Sequence, residues 1–141
     1  MSVWKVPVDV QELNQRWTSA LKQLIGFAIV DVSADSITAV FPVNAETRQP
    51  FGALHGGVIC YCAESLASMA SNMTIGDPDT MAVGMALTAS HVRPSFDGDV
   101  KLTVTLRHGG RKTQLWAYEL RDQKQKLLSL GTVTMALTPR S

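Results

Sequence analysis

The fold of this chain is decided by residues 48–73, which read RQPFGALHGGVICYCAESLASMASNM. From residue 56 onward the segment is rich in Ala, Ser, Met and Leu and contains no proline. It is apolar nearly all round, which predicts a helix over 56–73 that is buried on most sides. Glu64 is the only formally charged residue between Arg48 and Asp77. Because a buried carboxylate is costly, Glu64 is expected to have a partner or a chemical function.

The rest of the chain predicts one more helix and six strands. Asp9 and Glu12 form a capping box, apolar residues follow at helical spacing, and Gly26 ends that helix. Strands are predicted over residues 28–32, 36–43, 81–92, 99–107, 113–121 and 126–137. Grouped strands are typical of an α+β fold with an antiparallel sheet, here wrapped round the long helix in one domain over 1–141.

The composition limits the possible functions. Charged residues make up 18% of the 141 residues, below the usual value of about 25%, so part of the surface is expected to be hidden in a subunit interface. A net charge of +1, with no stripe of Lys and Arg, argues against a nucleic-acid partner. Three scattered histidines and two cysteines have no metal-ligand spacing, so neither a metal nor a separate cofactor is expected.

The cysteines and the N-terminus indicate a cytoplasmic protein. Cys60 and Cys62 lie two residues apart on the predicted helix and point in different directions, so they are not expected to pair. A reducing compartment is the simplest interpretation. The N-terminal segment has no apolar signal core. Residues 54–75 are long enough to span a membrane, but they include His55 and Glu64, which favours a buried helix without a membrane partner.

The neighbours of Glu64 suggest two kinds of role. Ser68 lies one turn later on the same helix face and is expected to hydrogen-bond the carboxylate. The alternative is a structural role, in which Glu64 contacts a backbone group or a distant arginine or is a neutral acid in the core. His55, Gly56 and Gly57 stand at the start of the helix, where free amides and the helix dipole form an oxyanion site. Close packing of helix and sheet is the other explanation for the two glycines.

The spacing between His55 and Glu64 predicts self-association. Nine residues on an α-helix correspond to a rise of about 13.5 Å and a rotation of about 180°, so the two side chains cannot meet within one chain. If both act on one substrate, a second subunit has to bring them together. A two-fold dimer does this and creates two equivalent sites.

The motif QPFGALHGGVICYCAES, with PVNAETR before it, closely resembles the hotdog-fold acyl-CoA thioesterases of the PaaI type. Within that family it is most similar to the bacterial aroyl-CoA thioesterases of menaquinone synthesis, which act on 1,4-dihydroxy-2-naphthoyl-CoA, and of enterobactin proofreading. The resemblance implies an antiparallel sheet wrapped round a central helix. It also implies a homodimer with sites at its interface, and usually a homotetramer.

The resemblance assigns roles to residues of the motif. Glu64 matches the catalytic carboxylate, and Ser68 matches the hydroxyl that supports it. Gly56 matches the residue whose amide polarises the thioester carbonyl. His55 and Gln49 match side chains near the thioester and the attacking water. In the family, the carboxylate comes from one subunit and the other catalytic groups come from its partner.

Candidate substrate contacts lie outside the motif. Coenzyme A, which is part of the substrate, is expected to meet basic residues through its phosphates: His91, Arg93, Arg111 and Lys112. An ordinary solvated edge is the alternative for each of them. Met69 and Met85 are expected to line an adaptable apolar pocket for the acyl group, with core packing as the alternative.

The resulting prediction is an aroyl-CoA thioesterase that releases an aromatic acid and coenzyme A. The preferred substrates are 1,4-dihydroxy-2-naphthoyl-CoA or a hydroxybenzoyl-CoA, with Glu64 as general base or nucleophile and Gly56 as oxyanion donor. Three alternatives stay open. They are a thioesterase for medium-chain aliphatic acyl-CoA, a hydratase or dehydratase on the same fold, and a non-catalytic acyl-CoA-binding module.

Overall fold

The computed structural model describes all residues, 1–141. The helices are α1 (Val10–Arg16), α2 (Ala20–Ile25) and α3 (Gly56–Met73). The strands are β1 (Ala28–Val32), β2 (Ser36–Pro42), β3 (Thr80–His91), β4 (Asp99–Gly109), β5 (Thr113–Arg121) and β6 (Leu127–Pro139). The predicted bounds of α3, β1 and β5 agree with these, and the other strands differ by one or two residues at their ends.

The six strands form one antiparallel sheet in the order β1-β2-β4-β5-β6-β3. Helix α3 packs on one face of the sheet and contacts β2 to β6. The alternation predicted for β4 is present, because Val100, Leu102 and Val104 are buried while Lys101 is exposed. The predicted α+β architecture, an antiparallel sheet with one long helix packed against it, is therefore confirmed.

Helix α3 is less completely buried than its composition predicts. Its sheet-facing side is part of the core, but Gly57 and Glu64 are exposed, and Tyr61, Ser65 and Ser68 are only partly buried. The prediction of burial on most sides is wrong for a single chain, since the sheet covers only one side of the helix. None of the helices combines the length and the apolar character needed to cross a membrane.

The predicted N-terminal helix is divided into two short helices. Helix α1 ends at Arg16, where Trp17 leaves the helical conformation. Ser19 then caps α2 and accepts a hydrogen bond from the Lys22 N–H through its side chain, 3.2 Å away. A serine that binds the backbone in this way competes with a continuous helix, so the apolar spacing was insufficient to predict the break.

Strand β3 forms one edge of the sheet and has a β-bulge. Its register against β6 shifts between Gly84 and Ala86, and Met85 stands at the shift with 64% of its surface exposed. The outer edge of this 12-residue strand has no partner in the chain. A long, free edge is an available surface for pairing with another strand.

Candidate active site

A first groove lies at the N-terminus of α3. We call it the donor groove. It has a volume of about 310 Å³ and is lined by Gln49, Ala53, Leu54, Gly56, Ile59, His91, Val92, Arg93, Pro94, Ser95 and Leu128. The structure thus brings Gln49 and Gly56 of the motif together with His91 and Arg93 from the end of β3.

The amides at the start of α3 differ in their hydrogen bonding. The Gly57 N–H donates to His55 Nδ1, 2.8 Å away, so the His55 side chain caps the helix. Because Nδ1 accepts this bond, the ring proton of a neutral His55 is on Nε2. The Gly56 N–H has no acceptor in the chain. It is the amide predicted to bind a thioester oxygen, and it is available to do so.

Gln49 offers a second donor. Its side-chain Oε1 accepts a hydrogen bond from the Phe51 N–H, which leaves its Nε2 amide group without a partner in the chain. The loop that carries it is fixed by bonds from the Leu54 N–H to the Ser95 carbonyl and from the His55 N–H to the Thr47 carbonyl, each 2.8 Å. Two hydrogen-bond donors therefore stand free at this end of the helix.

A second groove contains Glu64. We call it the carboxylate groove. It has a volume of about 340 Å³ and is lined by Trp17, Lys22, Tyr61, Glu64, Ser65, Ser68, Met69 and Gly84. The Glu64 carboxylate packs against Gly84 of β3, where an added Cβ would lie 2.9 Å from Glu64 Cδ. Only a glycine gives the carboxylate this position.

The predicted hydrogen bond between Ser68 and Glu64 is not present. The two side chains line the same groove, but Glu64 makes neither a hydrogen bond nor an ion pair within the chain. Because Glu64 is exposed in a single chain, water satisfies the carboxylate and no buried charge has to be compensated. The carboxylate is free to contact a substrate or a second chain.

Lys22 also lines the carboxylate groove, and no sequence pattern predicts it there. Its Nζ donates to the Trp17 carbonyl at 2.9 Å and lies 5.7 Å from the centre of the Phe27 ring. Burial lowers the pKa of Lys22 below its usual range, although a nearby Cys62 opposes the shift. Lys22 thus stabilises the segment between α1 and α2 through its bond to Trp17, and it does not pair with Glu64.

A third groove, which we call the α1 groove, continues from the carboxylate groove between α1 and the start of β3. The two share Trp17, Ser68 and Gly84, and the α1 groove has a volume of about 790 Å³. Its walls combine apolar residues, among them Leu13, Trp17, Met73, Met81 and Val83, with the charged residues Asp9, Glu12, Arg16, Asp77 and Arg140. The predicted pocket residue Met69 is 1% exposed and lines the carboxylate groove, whereas Met85 points outward from the edge of β3.

The four predicted basic contacts are divided between opposite ends of the sheet. His91 and Arg93 are at the donor groove. Arg111 and Lys112 lie in the turn between β4 and β5, where the Lys112 carbonyl accepts from the Leu137 N–H. Leu137 pairs with Ala82 at the other end of β3. One chain therefore does not place all four residues around one ligand.

The donor groove and the carboxylate groove share no lining residue. Of the predicted catalytic residues, Gln49 and Gly56 line the first, Glu64 and Ser68 line the second, and His55 lines neither. The predicted site is thus divided into two half-sites within one chain. The described chain contains no group of three or more His, Cys, Asp or Glu side chains placed to hold a metal ion.

Comparison with known proteins identifies the family. Residues 51–129 match the family model of the thioesterase superfamily. A mutant of thioesterase PA1618 from Pseudomonas aeruginosa superposes with a TM-score of 0.94 at 33% identity, covering 99% of this chain and 100% of that one. The chain belongs to the thioesterase superfamily. It has the hotdog fold of this family, as predicted, and it is a hydrolase that acts on thioesters.

Two relatives of this thioesterase have names that state a more specific activity. The proofreading thioesterase EntH of Cronobacter turicensis is 34% identical over 96% of this chain and 98% of its own length. The 1,4-dihydroxy-2-naphthoyl-CoA hydrolase of Escherichia coli is 30% identical over the same shares of both chains. The resemblance stated from the motif is therefore confirmed at the level of the family.

The sequence did not predict several residues that lie around the half-sites of this thioesterase. Gly84, Trp17 and Lys22 come from other elements, and only their contacts show that they approach Glu64. Tyr118 and Ser129 lie behind His91 in a hydrogen-bonded chain. Both occupy buried strand positions, where the alternation of the strand explains them as core residues. No sequence signal distinguishes them from ordinary core polar groups.

Proposed function

We propose that this thioesterase hydrolyses an aroyl-CoA ester to the aromatic acid and coenzyme A, at a site shared by two copies of the chain. The observation that supports this is the division of the predicted catalytic groups. Free donors at Gln49 and Gly56 stand in one groove, and the carboxylate of Glu64 stands in another. A hydrolytic site needs both, so it is completed by a second chain.

The free edge of β3 supports a two-fold dimer. Helix α3 contacts β3 more extensively than any other strand, and Glu64 lies against Gly84 at this edge. Antiparallel pairing of two β3 strands would place the two α3 helices side by side and cover the exposed Met85. A tetramer of two such dimers, and a cytoplasmic location, stay predictions from the sequence.

The proposed chemistry uses the donors and the carboxylate in different steps. The Gly56 N–H binds the thioester oxygen, and its bond strengthens as negative charge develops there; such a donor lowers the barrier by about 3 kcal/mol. Glu64 of the other chain either removes a proton from the attacking water or attacks the carbonyl itself and forms an anhydride that water then opens. In both routes the C–S bond breaks and the coenzyme A thiolate leaves and takes up a proton.

The acyl group is proposed to occupy the apolar part of the α1 groove, next to Glu64. This groove has the volume usual for small-molecule sites and is lined by Trp17 and by methionines, which suit a flat aromatic group. One relative is named a 1,4-dihydroxy-2-naphthoyl-CoA hydrolase, and the acyl group in that name is flat and aromatic. We therefore favour 1,4-dihydroxy-2-naphthoyl-CoA or a hydroxybenzoyl-CoA.

The coenzyme A part of the bound substrate is proposed to lie along the surface at the end of β3. Arg93 lines the donor groove and can reach a phosphate. In a two-fold pairing of β3 strands, the Thr80 end of one strand meets the His91 end of the other. The turn with Arg111 and Lys112 would then come from the second chain to the same end, where both cations suit phosphates.

The test is thiol release from a panel of coenzyme A esters. Benzoyl, hydroxybenzoyl, 1,4-dihydroxy-2-naphthoyl and medium-chain aliphatic esters are compared, with wild type and Glu64→Gln side by side. We expect aroyl esters to give the higher kcat/KM and the Glu64→Gln variant to lose at least about 100-fold in kcat, because it can neither accept a proton nor attack.

The other outcomes separate the alternatives. Faster turnover of aliphatic esters would replace the aroyl substrate by a medium-chain acyl-CoA. Tight ester binding without thiol release would favour a binding module, and hydration of an enoyl ester would favour a hydratase. Full activity in Glu64→Gln would remove the proposed role of the carboxylate.

A further inference from the structure

A chain of three hydrogen-bonded side chains ends at the donor groove. His91 Nδ1 lies 2.9 Å from Ser129 Oγ, and Ser129 Oγ lies 2.9 Å from the Tyr118 hydroxyl. Ser129 is 0% exposed and Tyr118 is 1% exposed, so water does not compete for either group. The strands fix this arrangement, because His91 of β3 pairs directly with Ser129 of β6.

The partners of these groups determine where the protons are. The only hydrogen-bond partner of the Tyr118 hydroxyl is Ser129, so its proton is donated there; a buried O–H without an acceptor would be costly. Burial raises the pKa of Tyr118, which keeps the phenol protonated. The Ser129 hydroxyl then donates to His91 Nδ1. A neutral His91 whose Nδ1 accepts carries its proton on Nε2.

The Nε2 atom of His91 points at the start of α3. A Cβ added to Gly56 would lie 2.8 Å from this atom, so the ring lies directly against the Gly56 backbone. The Gly56 N–H is itself free, and both groups belong to the donor groove. The His91 ring is therefore at the reacting end of the groove, close to the amide expected to bind the thioester oxygen.

We propose that His91 is a second oxyanion donor, and that Tyr118 and Ser129 are positioning residues that hold its ring in the Nε2–H form. This rests on the proposed function, because it places the thioester carbonyl at Gly56. The His91 Nε2–H and the Gly56 N–H then bind the same developing negative charge. His91 acts on the carbonyl in this scheme, and the coenzyme A phosphates are left to the arginines and Lys112.

The kinetic test removes the hydroxyls one at a time. Tyr118→Phe and Ser129→Ala are compared with wild type on whichever acyl-CoA ester the wild type hydrolyses fastest. We expect kcat to fall about tenfold in each variant while KM stays within about twofold, because the loss is in transition-state binding. Tyr118→Phe keeps the buried ring, so it is the variant least expected to disturb the fold.

Three further variants complete the kinetic test: two change His91, and the third is a control. His91→Ala should lose about 100-fold in kcat, and His91→Gln, whose amide N–H can occupy the position of Nε2, should recover part of that loss. Ser71→Ala removes a hydroxyl that is equally buried but bonded to Gln114. It should lower Tm and leave kcat unchanged. Wild-type kcat in both Tyr118→Phe and Ser129→Ala would overturn the proposal.

A spectroscopic test does not depend on activity. Long-range ¹H–¹⁵N NMR of the histidine rings, assigned with His91→Gln, should show His91 with its proton on Nε2 in the wild type. In Ser129→Ala that preference should be lost. A wild-type His91 that carries its proton on Nδ1 would overturn the proposal even if aroyl-CoA is a substrate. If no aroyl ester is hydrolysed, the proposed substrate is wrong, and the spectrum still determines which nitrogen of the His91 ring carries the proton.

Discussion

The position of Glu64 depends on a residue that has no side chain. Its carboxylate packs against Gly84 at the bulge of the edge strand β3, and it makes no hydrogen bond or ion pair within the chain. A carboxylate that acts on a thioester has to be held to within a fraction of an ångström. Since no donor in the chain holds it, the close contact with the Gly84 backbone limits where it can go.

We predict that Gly84→Ala impairs catalysis without unfolding the protein. The added methyl group would lie 2.9 Å from Glu64 Cδ, and the end of a flexible side chain can move away at little cost in stability. The displaced carboxylate should lower kcat by about 10- to 100-fold, because small errors in placement are costly for catalysis. Steady-state kinetics and thermal unfolding measure the two effects.

Gly109→Ala is the matched control, since a Cβ at Gly109 would meet Leu106 Cδ2 at an ordinary 3.6 Å. It should keep the wild-type kcat. If Gly84→Ala is equally active, the contact between the carboxylate and β3 has no part in catalysis.

At the level of the elements, a buried polar network fastens the end of α3 to the sheet. Gln114 of β5 accepts hydrogen bonds from Ser71 of α3 at 2.6 Å and from Trp116 at 3.1 Å. Its amide nitrogen donates to Thr74 at the C-cap of α3, 2.8 Å away. The network leaves no buried polar side-chain atom without a partner, so it stabilises the packing of the C-terminal end of α3 on the sheet.

We predict that Gln114→Ala lowers the free energy of unfolding by about 3 kcal/mol, because it leaves buried Ser71 and Trp116 donors without an acceptor. Urea denaturation at a fixed protein concentration measures this, since the stability of a dimer depends on concentration. Gln11→Ala, at an exposed position of α1, is the control and should change the free energy by less than about 0.5 kcal/mol. Equal stability of both variants would contradict the role of the network.

On the scale of the whole molecule, the proposed shared site can be tested by mixing two inactive variants. Glu64→Ala removes the carboxylate and Gln49→Ala removes a donor, and each homodimer then has two defective sites. A mixed dimer has one site with both defects and one intact site. Random mixing of equal amounts makes about half of the dimers mixed, so about one quarter of the wild-type activity should return.

Coexpression, or unfolding and refolding of the mixture, provides the mixed dimers. The control is the same procedure with each variant alone, which should restore no activity. If the mixture is no more active than its components, the site lies within one chain and the proposed dimer is wrong.

The sequence predicted much of the site at residue level because those residues lie in one segment. His55, Gly56 and Glu64 belong to a motif and a helix whose bounds were predicted correctly, and their separation along the helix followed from its geometry. The contacts of His91 and Gly84 could not be predicted in this way. They depend on the register of β3 against β6 and on a bulge, which no local pattern encodes.

The order of the strands and the long helix, the buried face of β4 and the family could be predicted from the sequence, because these depend on local periodicity and on one contiguous motif. The prediction erred on the N-terminal helix, where a serine cap outweighed the apolar spacing. The exposure of Glu64 in a single chain, and the position of Tyr118 and Ser129 behind His91, could be seen only in the folded molecule. The physical reason is that such relations join residues distant in sequence, and packing alone sets the distances between them.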